Sequence, residues 1–260
     1  RRAHHQRATA SAAVAGVVAS LALSVALTVM VASFRDSVSA WLQGVLPADL
    51  YGRMATGSAT DQAWFGPELP AALASLPGVQ RVQAVRARAL LLAPDRPAVA
   101  LLARPLADPE RELPLQGPVR PAAAGEVGAW ISEAMVALYD LQPGDTLALP
   151  LGGATPATVR VRGVWRDFAR QFGAVVIDHR DYLRLTGDTR LNELALWLAP
   201  GTDLTAVQAA VRDRLPDPAM LEFAATAELR AISLRIFDRS FAVTYYLQAV
   251  AIGIGLVGIA

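Results

Sequence analysis

The chain has 260 residues, of which 53% are hydrophobic and 18% charged, and its mean hydropathy is +0.34. These values are too apolar for an ordinary soluble domain, and they exclude a disordered chain. The formal net charge is +1, whereas nucleic-acid-binding proteins usually carry a basic excess, so nucleic acid is a poor partner. The chain has no cysteine, which excludes disulfides, cysteine-based zinc sites and cysteine nucleophiles. The composition therefore favours a membrane protein.

The first predicted element is a membrane span within residues 1–34, since residues 8–34 contain no charged side chain. As a helix they would rise roughly 40 Å, more than the roughly 30 Å hydrocarbon core of a bilayer. Arg1, Arg2 and Arg7 favour a cytoplasmic N-terminus. A secretory signal peptide also starts with basic residues, but its apolar core would be about half as long. Small residues at every fourth position predict a helix-packing face in the membrane, including Ala12, Gly16, Ser20 and Ser24.

Amphipathic helices, which we call the stalks, are expected at 35–47 and 226–239. Pro47 disfavours helical geometry at Leu46 and ends the first stalk. The second stalk leads into residues 240–260, a charge-free segment that is long enough to be a second, truncated span. The apolar stripes that define the stalks are Val38, Trp41, Leu42 and Val45, and Leu229, Ile232, Ile236 and Phe237. Residues 35–239 are then extracytoplasmic.

Between the stalks, strand-like and helix-like segments alternate and predict two β-α-β units. The first unit is assigned to residues 48–97, with elements at 49–54, 68–76 and 79–92, the last being one long or two short strands. The second unit is assigned to residues 191–225, with elements at 193–198, 203–215 and 220–224. Two such units pair naturally into a ferredoxin-like sheet. The predicted fold class is therefore membrane-anchored α+β, with two transmembrane helices and their stalks flanking this domain.

Residues 98–190 are expected to be a β-rich subdomain inserted between the two units. The predicted strands are 98–104, 146–150, 157–165 and 174–177, and the predicted helices are 132–141 and 178–185. Ser132 is a candidate N-cap for the first of these helices. Val159 and Val161 alternate with Arg160 and Arg162, which suits an antiparallel hairpin that is half exposed to water.

The sequence carries no catalytic or metal-binding constellation. Residues 253–258 match the G-x-G-x-x-G dinucleotide pattern, but that motif needs a preceding strand and a later acidic residue, and here it lies in a predicted span. His179 stands beside Asp178, yet no nucleophile elbow accompanies them, and three histidines without cysteine leave no metal spacing. We therefore expect no cofactor, no metal and no enzymatic activity.

Aromatic and arginine residues alternate between residues 165 and 173. Exposed aromatics and arginines are frequent in interaction hot spots, so this segment is a candidate contact site for a partner or cargo. Its members are Trp165, Arg166, Phe168, Arg170 and Phe172. The alternative is an edge loop whose aromatics fill the domain's own core and whose arginines pair with Asp167 and its neighbours.

A long first span, a large outer domain and a second span entered through a stalk resemble the FtsX-like permease family of ABC transporters, which includes the MacB and LolC types. Three segments carry the resemblance: residues 30–35 at the outer end of the first span, residues 132–146 with the Gly144-Asp145 turn, and residues 236–241 before the second span. The basic start resembles the segment that leads into the second outer domain of longer members. We therefore expect the chain to be part of a longer permease.

The resemblance implies a non-enzymatic permease subunit that is driven by a separate cytoplasmic ABC ATPase in the bacterial inner membrane. The stalks would transmit ATPase motion to an outer domain that handles lipid, lipoprotein or peptide cargo. Further implied partners are membrane lipid, a periplasmic adaptor or lipoprotein, and a second permease half or subunit in a dimeric assembly. The alternative function is a two-span membrane sensor whose outer domain binds a ligand. A membrane-tethered hydrolase lacks catalytic residues.

Overall fold

The structure is a computed structural model, and it describes residues 2–54, 64–121, 123, 125–167, 170–215 and 217–257. Within these ranges, the side chains of residues 2–13, 40–45, 218, 237, 248, 251–252 and 254–257 lie outside the described set. The chain divides into two compact units. One comprises Arg1–Pro47 and Ala225–Ala260, and the other comprises Ala48–Ala224. We call them the helix unit and the sheet domain.

The helices and strands follow one another in a fixed order along the chain. The first half contains α1 (Arg2–Val45), β1 (Leu50–Met54), α2 (Leu69–Ala74), β2 (Val79–Leu90), β3 (Val99–Arg104), α3 (Pro109–Glu112), β4 (Leu115–Gln116), β5 (Gly128–Ser132) and α4 (Glu133–Tyr139). The second half contains β6 (Thr146–Leu149), β7 (Ala157–Trp165), β8 (Ala174–Asp178), α5 (His179–Thr186), β9 (Glu193–Leu198), α6 (Leu204–Arg212), β10 (Leu221–Ala225), α7 (Thr226–Ser240) and α8 (Ala242–Val257).

Helix α1 runs without interruption from the predicted first span through the residues predicted as the first stalk, and it ends two residues before Pro47. Within the described residues, Val14–Ser39 is the one segment that is long and apolar enough to cross a membrane, with a mean hydropathy of 2.4. Helix α8, in the predicted second span, has 16 described residues. It is separated from α7 at Phe241, where the Ser240 hydroxyl donates to the Ile236 carbonyl at 3.0 Å. Such back-bonding often bends helices.

The sheet domain is built on one sheet, in which ten strands are described. The strand order is β10-β1-β9-β2-β3-β8-β5-β7-β4, and β6 pairs with β7. Strand β2 is one long strand. Its first half, from Val79 to Val85, pairs antiparallel with β9, and its second half, from Arg86 to Leu90, pairs antiparallel with β3. Because β2 pairs with β9 along its first half and with β3 along its second half, the strands of residues 98–190 and those of the two β-α-β segments form one continuous sheet.

Pairing within residues 98–190 is mixed. The β6–β7 pair is antiparallel, with Thr146 opposite Arg160, which confirms the predicted hairpin. The β3–β8 and β5–β7 pairs are parallel, an arrangement that alternation in the sequence does not reveal. Ser132 precedes α4, but its side chain forms no cap hydrogen bond. Its hydroxyl instead accepts from the Ala174 amide at 2.9 Å, so Ser132 occupies the predicted N-cap position but does not cap the helix through its side chain.

Side chains alternate between the two faces of the sheet. On the helix-covered face, side chains of α4 and α5 pack against strand residues, in a cluster that includes Leu101, Ala103, Ile131, Met135, Val175 and Tyr182. On the opposite face, the connection between β3 and β4 contributes to a smaller cluster of Leu102, Leu106, Leu113, Trp130, Trp165, Ala174 and Val176. Strand register extends both faces across β2, β9 and β1.

Candidate functional site

The outer end of the predicted first span meets the start of α8. The rings of Phe34 and Phe241 lie with their centroids 5.8 Å apart, and the Arg35 guanidinium pairs with Asp238 at 3.2 Å. Two of the three segments that carry the family resemblance, residues 30–35 and 236–241, are therefore in contact. The ion pair is exposed, and such pairs contribute about 0–1 kcal/mol, so apolar packing is the larger stabilising term here.

Helix α1 packs along α8 through side chains three and four residues apart. The least exposed are Val17, Ser20, Ser24, Leu27 and Val31. Ser20 and Ser24 of the predicted packing face belong to this row, whereas Gly16 is exposed and a Cβ there would meet nothing within 4 Å. A strict four-residue repeat rotates about 40° per step around a helix with 3.6 residues per turn, so it leaves the contact line. The side chain of Ala12 lies outside the described set.

The stalk residues are divided between half-buried and exposed positions. Val38 and Leu229 are half-buried, whereas Ile232 and Ile236 are exposed, Ile236 by 63%. Leu234 and Arg230 lie four and eight positions before Asp238, which pairs with Arg35, and they are half-buried on the same side of the helix. The side chains of Trp41, Leu42, Val45 and Phe237 lie outside the described set. A coupling role for the stripe stays a prediction.

The aromatic and arginine segment largely serves the sheet domain itself. Trp165 is 8% exposed and belongs to the cluster on the opposite face. Arg166 lies 3.4 Å from Glu133, and Arg170 lies 3.1 Å from Asp167. Phe172 is 54% exposed, whereas Phe168 lies outside the described residues. A contact role for these residues stays a prediction, and Phe172 is its most accessible described member.

A buried ionic network on the helix-covered face joins β2 to α5 and to the segment before β9. Its centre is Asp188, whose Oδ2 accepts from Arg86 Nε at 3.0 Å and from the Tyr182 hydroxyl at 2.8 Å. Oδ1 accepts from Arg190 Nε at 2.6 Å. Arg88 Nη1 donates to the Tyr182 hydroxyl at 3.3 Å. The network thus connects residues that lie about a hundred positions apart.

The electrostatics of this network favour the ionised carboxylate. Burial by itself would raise the pKa of Asp188, but hydrogen bonds from Arg190, Tyr182 and Arg86 outweigh burial and hold this pKa well below its ordinary value. Arg86 is fully buried, and a buried arginine is tolerated where a carboxylate accepts from it. The arrangement holds strands and helix together, and its saturated carboxylate suits a structural role.

Sequence reasoning missed Arg86, Tyr182, Asp188 and Arg190. The one available signal was the spacing of Arg86 and Arg88 two residues apart within a strand, which puts both on one face. The predicted His179 begins α5 beside Asp178, whose carboxylate accepts from the Arg180 amide. Within the described ranges, no group of three or more His, Asp or Glu side chains is arranged to hold a metal ion.

The chain is similar in sequence to a known ABC transporter permease. An uncharacterized ABC transporter permease protein of Mycobacterium tuberculosis is 25% identical over 258 residues, which are 96% of this chain and 30% of that protein. The chain therefore spans about a third of its curated relative.

Two solved structures are similar to the chain. The periplasmic region of MacB from Actinobacillus actinomycetemcomitans has a TM-score of 0.51 at 14% identity, covering 74% of this chain and 94% of that one. The extracellular domain of the noncanonic ABC-type transporter YknZ from Gram-positive bacteria has a TM-score of 0.47 at 14% identity, covering 68% and 99%. The first likeness shows a shared fold. The model of the MacB-like periplasmic core domain family matches residues 10–214, most of the chain, and the protein therefore belongs to this family.

Proposed function

We propose that the chain is the domain-bearing part of a MacB-type ABC transporter permease in a bacterial inner membrane. A separate cytoplasmic ATPase would drive motion of the helix unit, and the extracytoplasmic sheet domain would handle lipid, lipoprotein or peptide cargo. Family membership and the permease relative support this proposal. The chain itself would perform no catalysis, and it would act in a dimeric assembly of permease halves or subunits.

The observation that carries the proposal is the way in which the chain enters and leaves the sheet. Helix α1 leads into β1, and β10 passes directly into α7. Strands β1 and β10 are neighbours in the sheet. A change in the spacing of α1 and α7 would therefore act on two adjacent, hydrogen-bonded strands, and a hydrogen-bonded ladder resists such a change. This connectivity suits the transmission of motion from the membrane to the sheet domain.

Finer features of the architecture belong to the same proposal. We propose that α1 and α8 are both membrane spans, with 35–47 and 226–239 as stalks that emerge outside the cytoplasm. The strand order β10-β1-β9-β2, with α2 following β1 and α6 following β9, supports a ferredoxin-like half over residues 48–97 and 191–225. Residues 98–190 would then be its inserted, β-rich extension. Lipid contact by the spans and an adaptor or lipoprotein partner complete the proposal.

The experiment that tests it is crosslinking in the complete permease–ATPase complex. Because the chain has no cysteine, Phe34→Cys with Phe241→Cys introduces one reactive pair at the junction of α1 and α8. We expect crosslinking by a short bismaleimide to differ at least about threefold between nucleotide-free and ATP-bound complexes, since a shift of about 0.7 kcal/mol in the equilibrium between two states already changes their population ratio by that factor.

The matched control is Arg53→Cys with Glu193→Cys, a pair opposite each other on β1 and β9 whose side chains meet at 3.0 Å. This pair lies within one sheet, so its crosslinking should not respond to nucleotide. If nucleotide changes the crosslinking of both pairs equally, or changes the crosslinking of neither pair, transmission through the helices is contradicted. Mass spectrometry of the purified full-length protein provides an independent check: recovery of an ABC ATPase supports the permease, and recovery of a kinase in its place supports the sensor.

A further inference from the structure

We propose that the opposite face of the sheet carries a binding site for a phosphate-bearing ligand, formed by Arg81, Gln83 and Arg104, with Tyr51 and Trp197 at its edge. The proposal does not rest on transport, because binding can be measured on the chain without an ATPase. It concerns side chains that neither the family resemblance nor the aromatic and arginine segment includes.

Strand register places these residues together. Tyr51 and Gln83 both lie opposite Ala195 of β9, one from each side, and Arg81 lies opposite Trp197. These positions share a face of the sheet because paired residues point the same way. Arg104 ends β3 two residues after Leu102, which pairs with Ala87, so it lies on that face too. Ala195, the residue between Tyr51 and Gln83, is small and half-buried.

The site is rich in hydrogen-bond donors that have no acceptor within the described part of the chain. Gln83 is 8% exposed, and its Nε2 is buried without a partner, as is Arg104 Nε. A buried donor without an acceptor loses its hydrogen bonds to water without replacement, so it favours a ligand that supplies an acceptor. Arg81 is exposed and stacks on Trp197, with its Cζ 4.5 Å from the ring centroid, so the edge of its guanidinium remains available. A ligand with several acceptor oxygens satisfies this donor set.

The charges at the site also favour an anion. Burial lowers the pKa of Arg104, the Glu112 carboxylate raises it, and the charge of Arg81 lowers it further. Two guanidinium groups therefore lie within electrostatic range of each other. The carboxylate nearest to Arg104 is that of Glu112, whose Oε2 is 3.4 Å from Nη2, a long contact for an ion pair. An anion between the two arginines would relieve their repulsion and could displace Glu112.

Phosphate matches this arrangement better than a carboxylate. Guanidinium groups bind phosphate oxygens in forked pairs, and the tetrahedral group presents further oxygens to Gln83 and to the Tyr51 hydroxyl. A carboxylate has two oxygens in one plane and would leave part of the donor set unused. Arg212, which stacks on Phe223 at 4.9 Å, is an exposed arginine of the same kind outside the site, so it provides a matched control.

The test is isothermal titration calorimetry of inorganic phosphate into the full chain in a non-ionic detergent. We expect saturable binding that Arg81→Gln and Gln83→Leu each weaken at least about tenfold, since each variant removes a hydrogen bond to a charged ligand, and such bonds are stronger than those between neutral groups. Arg212→Gln changes the net charge identically and should stay within about twofold of the wild type. Glu112→Gln should bind phosphate more tightly, because it removes the competing charge and keeps an acceptor oxygen.

The outcomes decide the proposal. Absence of saturable binding, equal effects of Arg81→Gln and Arg212→Gln, or acetate binding as tightly as phosphate would each overturn it. Two further ligands then identify the source of the phosphate. If short-chain phosphatidic acid binds with a much higher affinity than glycerol 3-phosphate, the phosphate belongs to a lipid headgroup. If both ligands bind with the same affinity as inorganic phosphate, it belongs to a soluble phosphate compound.

Discussion

The two faces of the sheet place arginine in different surroundings. On the helix-covered face, Arg86 is fully buried and donates to Asp188, which also accepts from Tyr182 and Arg190. On the opposite face, Arg104 keeps a buried Nε without an acceptor in the described structure, and its nearest carboxylate is 3.4 Å away.

This difference separates a structural role from a binding role. A carboxylate that already accepts from three side chains has little capacity left for a ligand, so the helix-covered network stabilises the fold. A buried donor set without acceptors lowers stability, yet it is available to an incoming anion. An arginine can therefore be assigned a structural role or a binding role only when the acceptors around it are known.

The largest expected effect comes from removing the acceptor of the buried network. Asp188→Ala takes the carboxylate from Arg86, and breaking a buried pair in this way costs about 3–5 kcal/mol in free energy of unfolding. Urea unfolding of the full chain, followed by tryptophan fluorescence, measures the loss, since Trp130 and Trp165 are buried in the sheet domain.

Asp181→Ala is the matched control. Asp181 pairs at 2.9 Å with Arg184 at the surface, and such pairs contribute about 0–1 kcal/mol. If both variants lose equally little, the helix-covered network stabilises the fold no more than a surface ion pair does.

A second test changes the same charge by pH. The folded-state pKa of Asp188 lies below its ordinary value, which is about 3.9 in an unfolded chain. The contribution of the ionised Asp188 to the free energy of unfolding is therefore complete above about pH 5. It is lost as the pH falls towards and through the folded-state pKa. We expect the free energy of unfolding to fall below pH 4 in the wild type. Asp188→Asn should show a shallower fall over that window, and parallel curves would contradict the expectation.

Packing on the helix-covered face can be tested at two glycines with the same backbone angle. Gly173 and Gly152 both have φ of +99°, which is strained for any other residue. A Cβ at Gly173 would lie 2.5 Å from Met135 Sδ, whereas a Cβ at Gly152 would meet nothing within 4 Å. Met135 is fully buried and cannot move aside freely.

Both Gly→Ala variants should be destabilised by about 1 kcal/mol from backbone strain. Gly173→Ala should lose about 1–3 kcal/mol more from overpacking. Thermal unfolding of the two variants side by side gives the difference, and equal losses would show that α4 shifts easily on the sheet.

The sequence allowed prediction of features that depend on local pattern. The charge-free run of residues 8–34 indicated a long helix, and the alternation of Val159, Arg160 and Val161 indicated an antiparallel strand; α1 and the β6–β7 hairpin have these forms. The pairing of Arg86 with Asp188 joins residues 102 positions apart, and no local pattern encodes it. Alternating aromatics and arginines at 165–173 left open whether the aromatics face a partner or fill the domain's own core, and Trp165 takes the second course. The sequence did not decide this, because burial there depends on the β3–β4 connection that covers it.

The smallest expected effect concerns two buried amides of almost equal exposure. Gln83 is 8% exposed and Asn192 is 9% exposed. Both polar atoms of the Asn192 side chain are hydrogen-bonded: its Oδ1 accepts from the Ala87 amide and its Nδ2 donates to the Ala87 carbonyl, each at 2.8 Å. Asn192→Leu should therefore lose about 1–3 kcal/mol in free energy of unfolding. Gln83→Met removes a donor without an acceptor, so we expect a change within about 1 kcal/mol, towards greater stability.

Inorganic phosphate sharpens the contrast between the two amides. A ligand that binds the folded state raises stability with its concentration, so phosphate should raise the melting temperature of the wild type and of Asn192→Leu by the same amount. It should have a much smaller effect on Gln83→Met, because that variant lacks the amide beneath the two arginines. If Gln83→Met loses as much stability as Asn192→Leu in phosphate-free buffer, the Gln83 amide has a structural acceptor, and the proposed site then lacks this donor.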